Sequence, residues 1–297
     1  MTTTSQTEAQ SNPIGAAIWM LGAIVAFSSM AISGRSVAAE LDTFELMMYR
    51  SIIGIGLVVT FASLAGTMKD ITTRSFGTHI IRNACHFAGQ NLWFAALTMI
   101  PLAQVFALEF TSPIWVILLA PIFLGEKLTG RRILVALCGF VGILIVARPN
   151  MMQIEPGIVL GAIAAIGFAG SAIFTKILTR TEAITCILFW LTVIQAVFGI
   201  AFAGWDGDIA WPSAAIWPWV IAVSVAGLGA HFCLTKALTL APAIIVMPFD
   251  FARLPIIAII GAVVYNEALD PWVFLGAIII FGANYLNLAA SSRQKLT

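Results

Sequence analysis

Little of this chain is charged. Asp, Glu, Lys and Arg make up 10% of its 297 residues, where a soluble domain carries roughly a quarter. Water is therefore not its main solvent. No connection between apolar runs is long enough for a soluble domain, and no Gly-x-x-x-x-Gly-Lys-Ser/Thr phosphate loop occurs, so an extramembrane nucleotide-binding or enzyme domain is excluded. Only four cysteines are present, Cys85, Cys138, Cys186 and Cys233. They fall inside apolar runs without metal-ligand spacing and read as reduced apolar fillers. No metal, cofactor or nucleic acid is expected. Residues 1–13 hold no Lys or Arg, so the basic start of a cleavable signal peptide is missing, and the first apolar run reads as a retained span.

What the chain does have is apolar length. It is 60% hydrophobic, with a mean hydropathy of +1.00. A span takes about 20 apolar residues, and ten runs qualify: 14–33, 44–66, 79–98, 102–124, 132–148, 157–176, 184–204, 216–236, 243–265 and 272–290. The lipid bilayer is thus the first partner. Positive charge is uneven. With the N-terminus inside, Lys69, Arg74, Arg82, Lys127, Arg131, Arg132, Lys176, Arg180, Lys236, Arg293 and Lys295 gather at the inner ends of spans, and only Arg35 and Arg148 at the outer. The positive-inside rule then predicts cytoplasmic termini in a bacterial inner membrane. Trp205, Trp211, Trp217, Trp219 and Trp272 form an aromatic belt at the outer boundary.

The two halves repeat. Ala96-Leu97-Thr98 and Pro101 return as Ala237-Leu238-Thr239 and Pro242, Glu126 returns as Glu267, and Phe27, Ala31 and Ile32 return as Phe168, Ala172 and Ile173, all at an offset of 141. A constant offset over separate segments argues for duplication. An odd number of crossings per copy inverts the second relative to the first, the architecture of a secondary transporter with its substrate between the repeats. The predicted class is all-α integral membrane, ten helices in two inverted five-helix repeats (14–148 and 157–290) around a central cavity. Residues 148–157, with two prolines and a glycine, form the linker.

Polar residues inside spans mark candidate functional positions. His79, Asn83, His86 and Gln90 share one face of span three and read as cavity lining ahead of helix–helix contacts, with His79 near the inner interface. Ser224 and His231 in span eight match Asn83 and Gln90 at the same offset. Trp19 and Trp93 offer apolar walls for a ligand, or packing. Glu109 and Asp250 occupy matched positions in spans four and nine. Each is a proton-coupling or substrate-contact candidate. Arg253 lies three residues from Asp250 on the same helix face, so a structural pair between them is the competing reading, whereas Glu109 has no basic partner nearby in sequence. Arg50, matched by Leu191, reads as mainly structural. Pro113, Pro248 and Pro255 sit inside the matched spans four and nine and mark a gate or mere curvature. Gly157-x-x-x-Gly161 reads as a packing seam.

The segments Phe94 to Ala103, Phe110-Thr111-Ser112-Pro113, Leu124-Gly125-Glu126-Lys127-Leu128-Thr129 and Gly139-Phe140-Val141-Gly142 resemble the EamA domain, the repeating unit of the drug/metabolite transporter superfamily. Ala237-Leu238-Thr239 and Asn266-Glu267-Ala268-Leu269 carry a weaker version; the second half lacks the arginine of span two and has Asn266 in place of Gly125. The resemblance implies alternating access around a central cavity and a small-molecule substrate, and the overall look is nearest to bacterial exporters of aromatic amino acids. The expected function is therefore secondary transport, by export, of amino acids or similar metabolites. The alternatives are an integral-membrane enzyme using the intramembrane histidines and acids on a lipid or carrier-linked substrate, and a channel.

Overall fold

A computed structural model describes residues 12–125, 130–147, 155–178, 180–205, 207–240, 249 and 253–293. Among these residues the protein is all-helical: α1 (Pro13–Val37), α2 (Thr43–Leu64), a 3-10 turn (Met68–Asp70), α3 (Phe76–Met99), α4 (Leu102–Glu109), α5 (Ser112–Leu124), α6 (Gly130–Ala147), α7 (Pro156–Leu178), α8 (Ile184–Ala203), α9 (Trp217–Leu240), α10 (Arg253–Tyr265) and α11 (Pro271–Arg293). Six segments are long and apolar enough to cross a membrane by length and composition. The protein is a multi-pass membrane protein.

Local chemistry sets the helix ends. Asp42 and Glu45 form a reciprocal capping box at the start of α2, satisfying amides that the first turn leaves unpaired. Asn12 caps α1 by accepting from the Gly15 amide at 2.8 Å, with Pro13 in the first turn. Span four differs from the expected single kinked helix. It is two helices, α4 and α5, parted at Phe110–Thr111. Pro113 lies in the first turn of α5, where its missing N–H costs nothing; Pro121 is the proline inside that helix. Pro255 lies near the start of α10 and is exposed. Pro248, Asp250, Glu126 and the linker around Arg148 to Ile154 lie outside the described residues.

The helices pair according to the duplication. The main contacts are α3 with α7, α1 with α9, α6 with α11 and α2 with α8. Shifting by 141 residues turns α3 into α9 and α1 into α7, so the first two pairs exchange, while α2/α8 and α6/α11 map onto themselves. That is the contact pattern of a two-fold axis passing between α2 and α8. Small residues bring the exchanged pairs close: a Cβ on Gly167 of α7 would stand 2.8 Å from the Gly89 Cα of α3. In the α7 seam, Gly157 and Gly161 face Ile100 and Leu108, the packing role expected of them.

Both ends of the bundle are tied across the halves. At the end bearing the α1–α2 connection, the Arg35–Glu267 ion pair joins α1 to the α10–α11 loop. Tyr49 donates to Ala210 O at 2.8 Å, and Glu40 accepts from Ser213. At the opposite end Thr72 donates to Glu182 at 2.7 Å, and Trp190 to Thr72 O at 2.7 Å.

Candidate substrate crevice

Where α2 and α8 cross lies a narrow crevice lined by Arg50, Ser51 and Gly54 of α2, Leu191, Thr192 and Gln195 of α8, and Ser224, Leu228 and His231 of α9. The α2 and α8 residues are matched at the 141 offset: Arg50 with Leu191, Ser51 with Thr192, Gly54 with Gln195. The crevice therefore lies on the pseudo-two-fold axis, the position at which repeat transporters hold substrate. Ser51, Thr192 and Gln195 escaped the sequence reading. The offset that paired Asn83 with Ser224, applied to span two, would have found them.

Arg50 is buried, 7% exposed. Its guanidinium donates to Gln90 Oε1 of α3 and lies against Gly227 of α9, where a Cβ would stand 2.8 Å from Nη2. The missing side chain at 227 makes room for the flat fork. Among the described residues no lining side chain is acidic, and those residues present one buried cation and a set of neutral polar groups. Gln195 Nε2, and His86 Nε2 beside the crevice, are buried without a hydrogen-bond partner. Unmet buried donors and acceptors are costly, and in a crevice they are groups for a ligand or water to satisfy. His86 packs edge-on to His231, ring centroids 5.5 Å apart. Arg50 thus lines the crevice while also tying α2 to α3 and packing on α9.

The other sequence candidates divide. Asn83 does not line the crevice; its amide donates to His79 O at 2.8 Å and Trp190 O at 3.2 Å, and its carbonyl accepts from Arg82 at 2.9 Å. It joins α3 to α8. Arg82, expected at an exposed inner end, is 5% exposed and also bonds Thr175 of α7. Trp19 packs edge-on to Phe232 in the α1–α9 seam. Trp93 is 2% exposed and donates to Glu109 Oε2 at 2.9 Å. Glu109 in turn meets Arg253 Nη2 at 3.3 Å. The missing basic partner of Glu109 is therefore Arg253, supplied by α10 across the fold and invisible to local spacing. The Arg253 guanidinium lies 4.6 Å from the Phe27 ring centre and 5.2 and 5.3 Å from those of Phe106 and Phe110, an aromatic surround that favours a cation. This second polar cluster, between α1, α4 and α10, is separate from the crevice lining.

The chain is 37% identical over 236 residues to a riboflavin transporter of Brucella anthropi, covering 77% of this chain and 83% of that protein. It is 27% identical to an S-adenosylmethionine uptake transporter of Rickettsia bellii, over 89% of this chain and 90% of the relative. A crystal structure 18% identical in sequence covers 95% of this chain and 98% of its own, with a TM-score of 0.64, which supports the fold. The model of the EamA-like transporter family matches residues 14–148 and 155–289, and the chain belongs to that family.

Proposed function

We propose that this chain is a secondary transporter that carries a small polar metabolite with a flat, carbonyl-bearing ring system through the crevice between α2, α8 and α9. The observation that carries the reading is the inventory of the crevice's described residues: one buried guanidinium, no acid among them, several neutral hydrogen-bonding groups and apolar Leu191 and Leu228 on the same walls. Arg50 would donate to ring carbonyls and Gln195 to ligand oxygens, while the Thr192 and Ser224 hydroxyls, whose protons go to carbonyls of their own helices, would accept from ligand hydroxyls. A riboflavin-like ligand has both, and the relatives named as riboflavin and S-adenosylmethionine transporters support a heteroaromatic cargo.

Residues 14–148 and 157–290 would act as the two repeats, rocking about the α2–α8 crossing so that the crevice faces one side and then the other. Both termini face the cytoplasm of a bacterial inner membrane in this reading, because Lys and Arg gather at that end. The proline breaks of spans four and nine (Pro113, Pro248, Pro255) serve as hinges, and Glu109, Asp250 and Arg253 as the charge-coupling set.

A second reading, export of amino acids, rests on Arg50: a lone buried cation equally suits a carboxylate, with the apolar walls accepting variable side chains. Vesicles containing the purified protein separate the two. They are preloaded with riboflavin or with an aromatic amino acid, and counterflow of the labelled compound is measured in each direction. Flavin flux above that of empty vesicles, lost in Arg50→Ala, supports the first reading. Amino-acid flux alone supports the second. Neither, across a metabolite panel, overturns the transporter assignment of the crevice.

A further inference from the structure

Away from the crevice, at the bundle end that carries residues 67–75 and 179–183, three side chains of metal-ligand type converge. His79 of α3, Glu182 of the α7–α8 connection and Cys186 of α8 each place a ligand atom within 4.8 Å of the others. They are 107 and 103 residues apart from His79 in sequence, which is why no spacing rule signals them. Cys186 Sγ stands 3.9 Å from His79 Nε2. A tetrahedral zinc ion holds sulfur at about 2.3 Å and imidazole nitrogen at about 2.0 Å, which sets sulfur and nitrogen about 3.5 Å apart, so the two side chains need close by only a few tenths of an ångström.

The pseudo-symmetry shows what is unusual here. At the other end of the bundle the equivalent region is closed by backbone: Glu45, the mate of Cys186, accepts from the Ala210 amide, and Ser213, the mate of Thr72, bonds Glu40. At the inner end the closure is incomplete. His79 Nδ1 and Glu182 Oε1 are buried without hydrogen-bond partners, in residues 0% and 8% exposed. Arg82, three residues from His79 on α3, bonds Thr175 and Asn83.

We propose that His79, Glu182 and Cys186 form a binding site for a borderline-soft divalent cation of the zinc type. Thiolate, imidazole and carboxylate are the mixed donor set such ions take. Binding releases the Cys186 thiol proton to solvent. The ion's two positive charges are then matched by one thiolate and one carboxylate, so the buried site is neutral overall. A fourth position is left for water. Because His79 belongs to the first repeat and Glu182 and Cys186 to the second, the bound ion clips α3 to α8 and holds this end of the bundle shut.

The test uses the full chain, purified in lipid nanodiscs and stripped with chelator, carrying Cys85→Ala, Cys138→Ala and Cys233→Ala so that Cys186 is the remaining thiol. Cobalt(II) is the probe. The expected result is a thiolate-to-cobalt charge-transfer band that saturates at one equivalent and is erased by zinc. Glu182→Gln and His79→Gln, each made separately, should weaken zinc binding by about 10- to 100-fold, the usual scale for damaged metal sites, and Cys186→Ser should abolish the band. A folded chain with no band overturns the proposal. So does zinc affinity that Glu182→Gln and Cys186→Ser leave unchanged, which would place the ion elsewhere. These readouts do not involve flux, so they stand or fall apart from the transport reading.

Discussion

Arg35, in the last turn of α1, forms an ion pair with Glu267, in the α10–α11 loop, and between them the two side chains fasten four segments. Arg35 also donates to Leu97 O at 2.5 Å and Ile100 O at 2.8 Å, and Glu267 accepts from the Leu102 amide at 3.0 Å. The side chains are 16% and 15% exposed, between the surface case, worth little, and the buried case, where breaking a pair costs several kcal/mol. Arg35→Ala should cost about 2 kcal/mol, because it strands a carboxylate and two carbonyls. Glu267→Gln should cost less, since its one amide oxygen can still accept from either Arg35 or the Leu102 amide, though not from both as the two carboxylate oxygens do. Apparent Tm values in detergent should therefore rank wild type above Glu267→Gln above Arg35→Ala; the reverse order of the two variants would refute the account.

Gly167 faces backbone. A Cβ there would come within 2.8 Å of Gly89 Cα and 2.9 Å of Cys85 O, neither able to rotate away, whereas a Cβ on Gly229 of α9 meets nothing within 4 Å. Gly167→Ala must push α3 and α7 apart, at about 1–3 kcal/mol. Gly229→Ala should be neutral or gain up to about 1 kcal/mol, because alanine favours helix over glycine. Side-by-side thermal unfolding checks the contrast, and equal effects would mean that the α3–α7 crossing is not close-packed.

Architecture was the legible part of this sequence. Apolar length located the spans, and the 141 offset gave the axis on which the crevice lies. The polar face of α3 was also visible, but its members serve different ends. Gln90 holds Arg50, His86 packs on His231, Asn83 ties α3 to α8, and His79 joins Glu182 and Cys186. Periodicity places residues on one side of a helix. It cannot say which of three neighbouring helices each will meet. Glu109 illustrates the same limit, since its basic partner lies 144 residues away. The mate of Arg50 in the second repeat is Leu191, so the offset gave no sign that it lines the crevice. That asymmetry leaves a single arginine among the crevice's described residues.

Arg50 should govern flux more than folding. Arg50→Lys keeps the charge but loses the fork that spans Gln90 and the crevice. Gly227→Ala keeps the arginine but fills the space its guanidinium occupies. Both should raise the KM for the transported compound by about tenfold, equivalent to about 1.4 kcal/mol of binding, with the maximal rate less affected. The measurement is initial flux against substrate concentration in vesicles with matched protein content. Unchanged KM in both variants would remove Arg50 from the substrate path.

Glu109 separates a structural from a coupling role. Its two oxygens are engaged, one by Arg253 Nη2 at 3.3 Å and one by Trp93 Nε1 at 2.9 Å. Glu109→Gln retains an acceptor for Trp93 and removes the charge beside a guanidinium that is itself enclosed by Phe27, Phe106 and Phe110. Removing one carboxylate from beside a buried cation costs up to about 3 kcal/mol, so the variant should unfold earlier than wild type. Trp93→Phe should lose only one neutral-to-charged hydrogen bond, about 1.5–3 kcal/mol. Flux as a function of pH then decides between roles. If Glu109 carries a proton in the cycle, Glu109→Gln flattens the pH profile, while Trp93→Phe, which leaves the carboxyl in place, preserves it. If the carboxylate only anchors α10 to α4, both variants keep the wild-type profile and differ from it in stability alone.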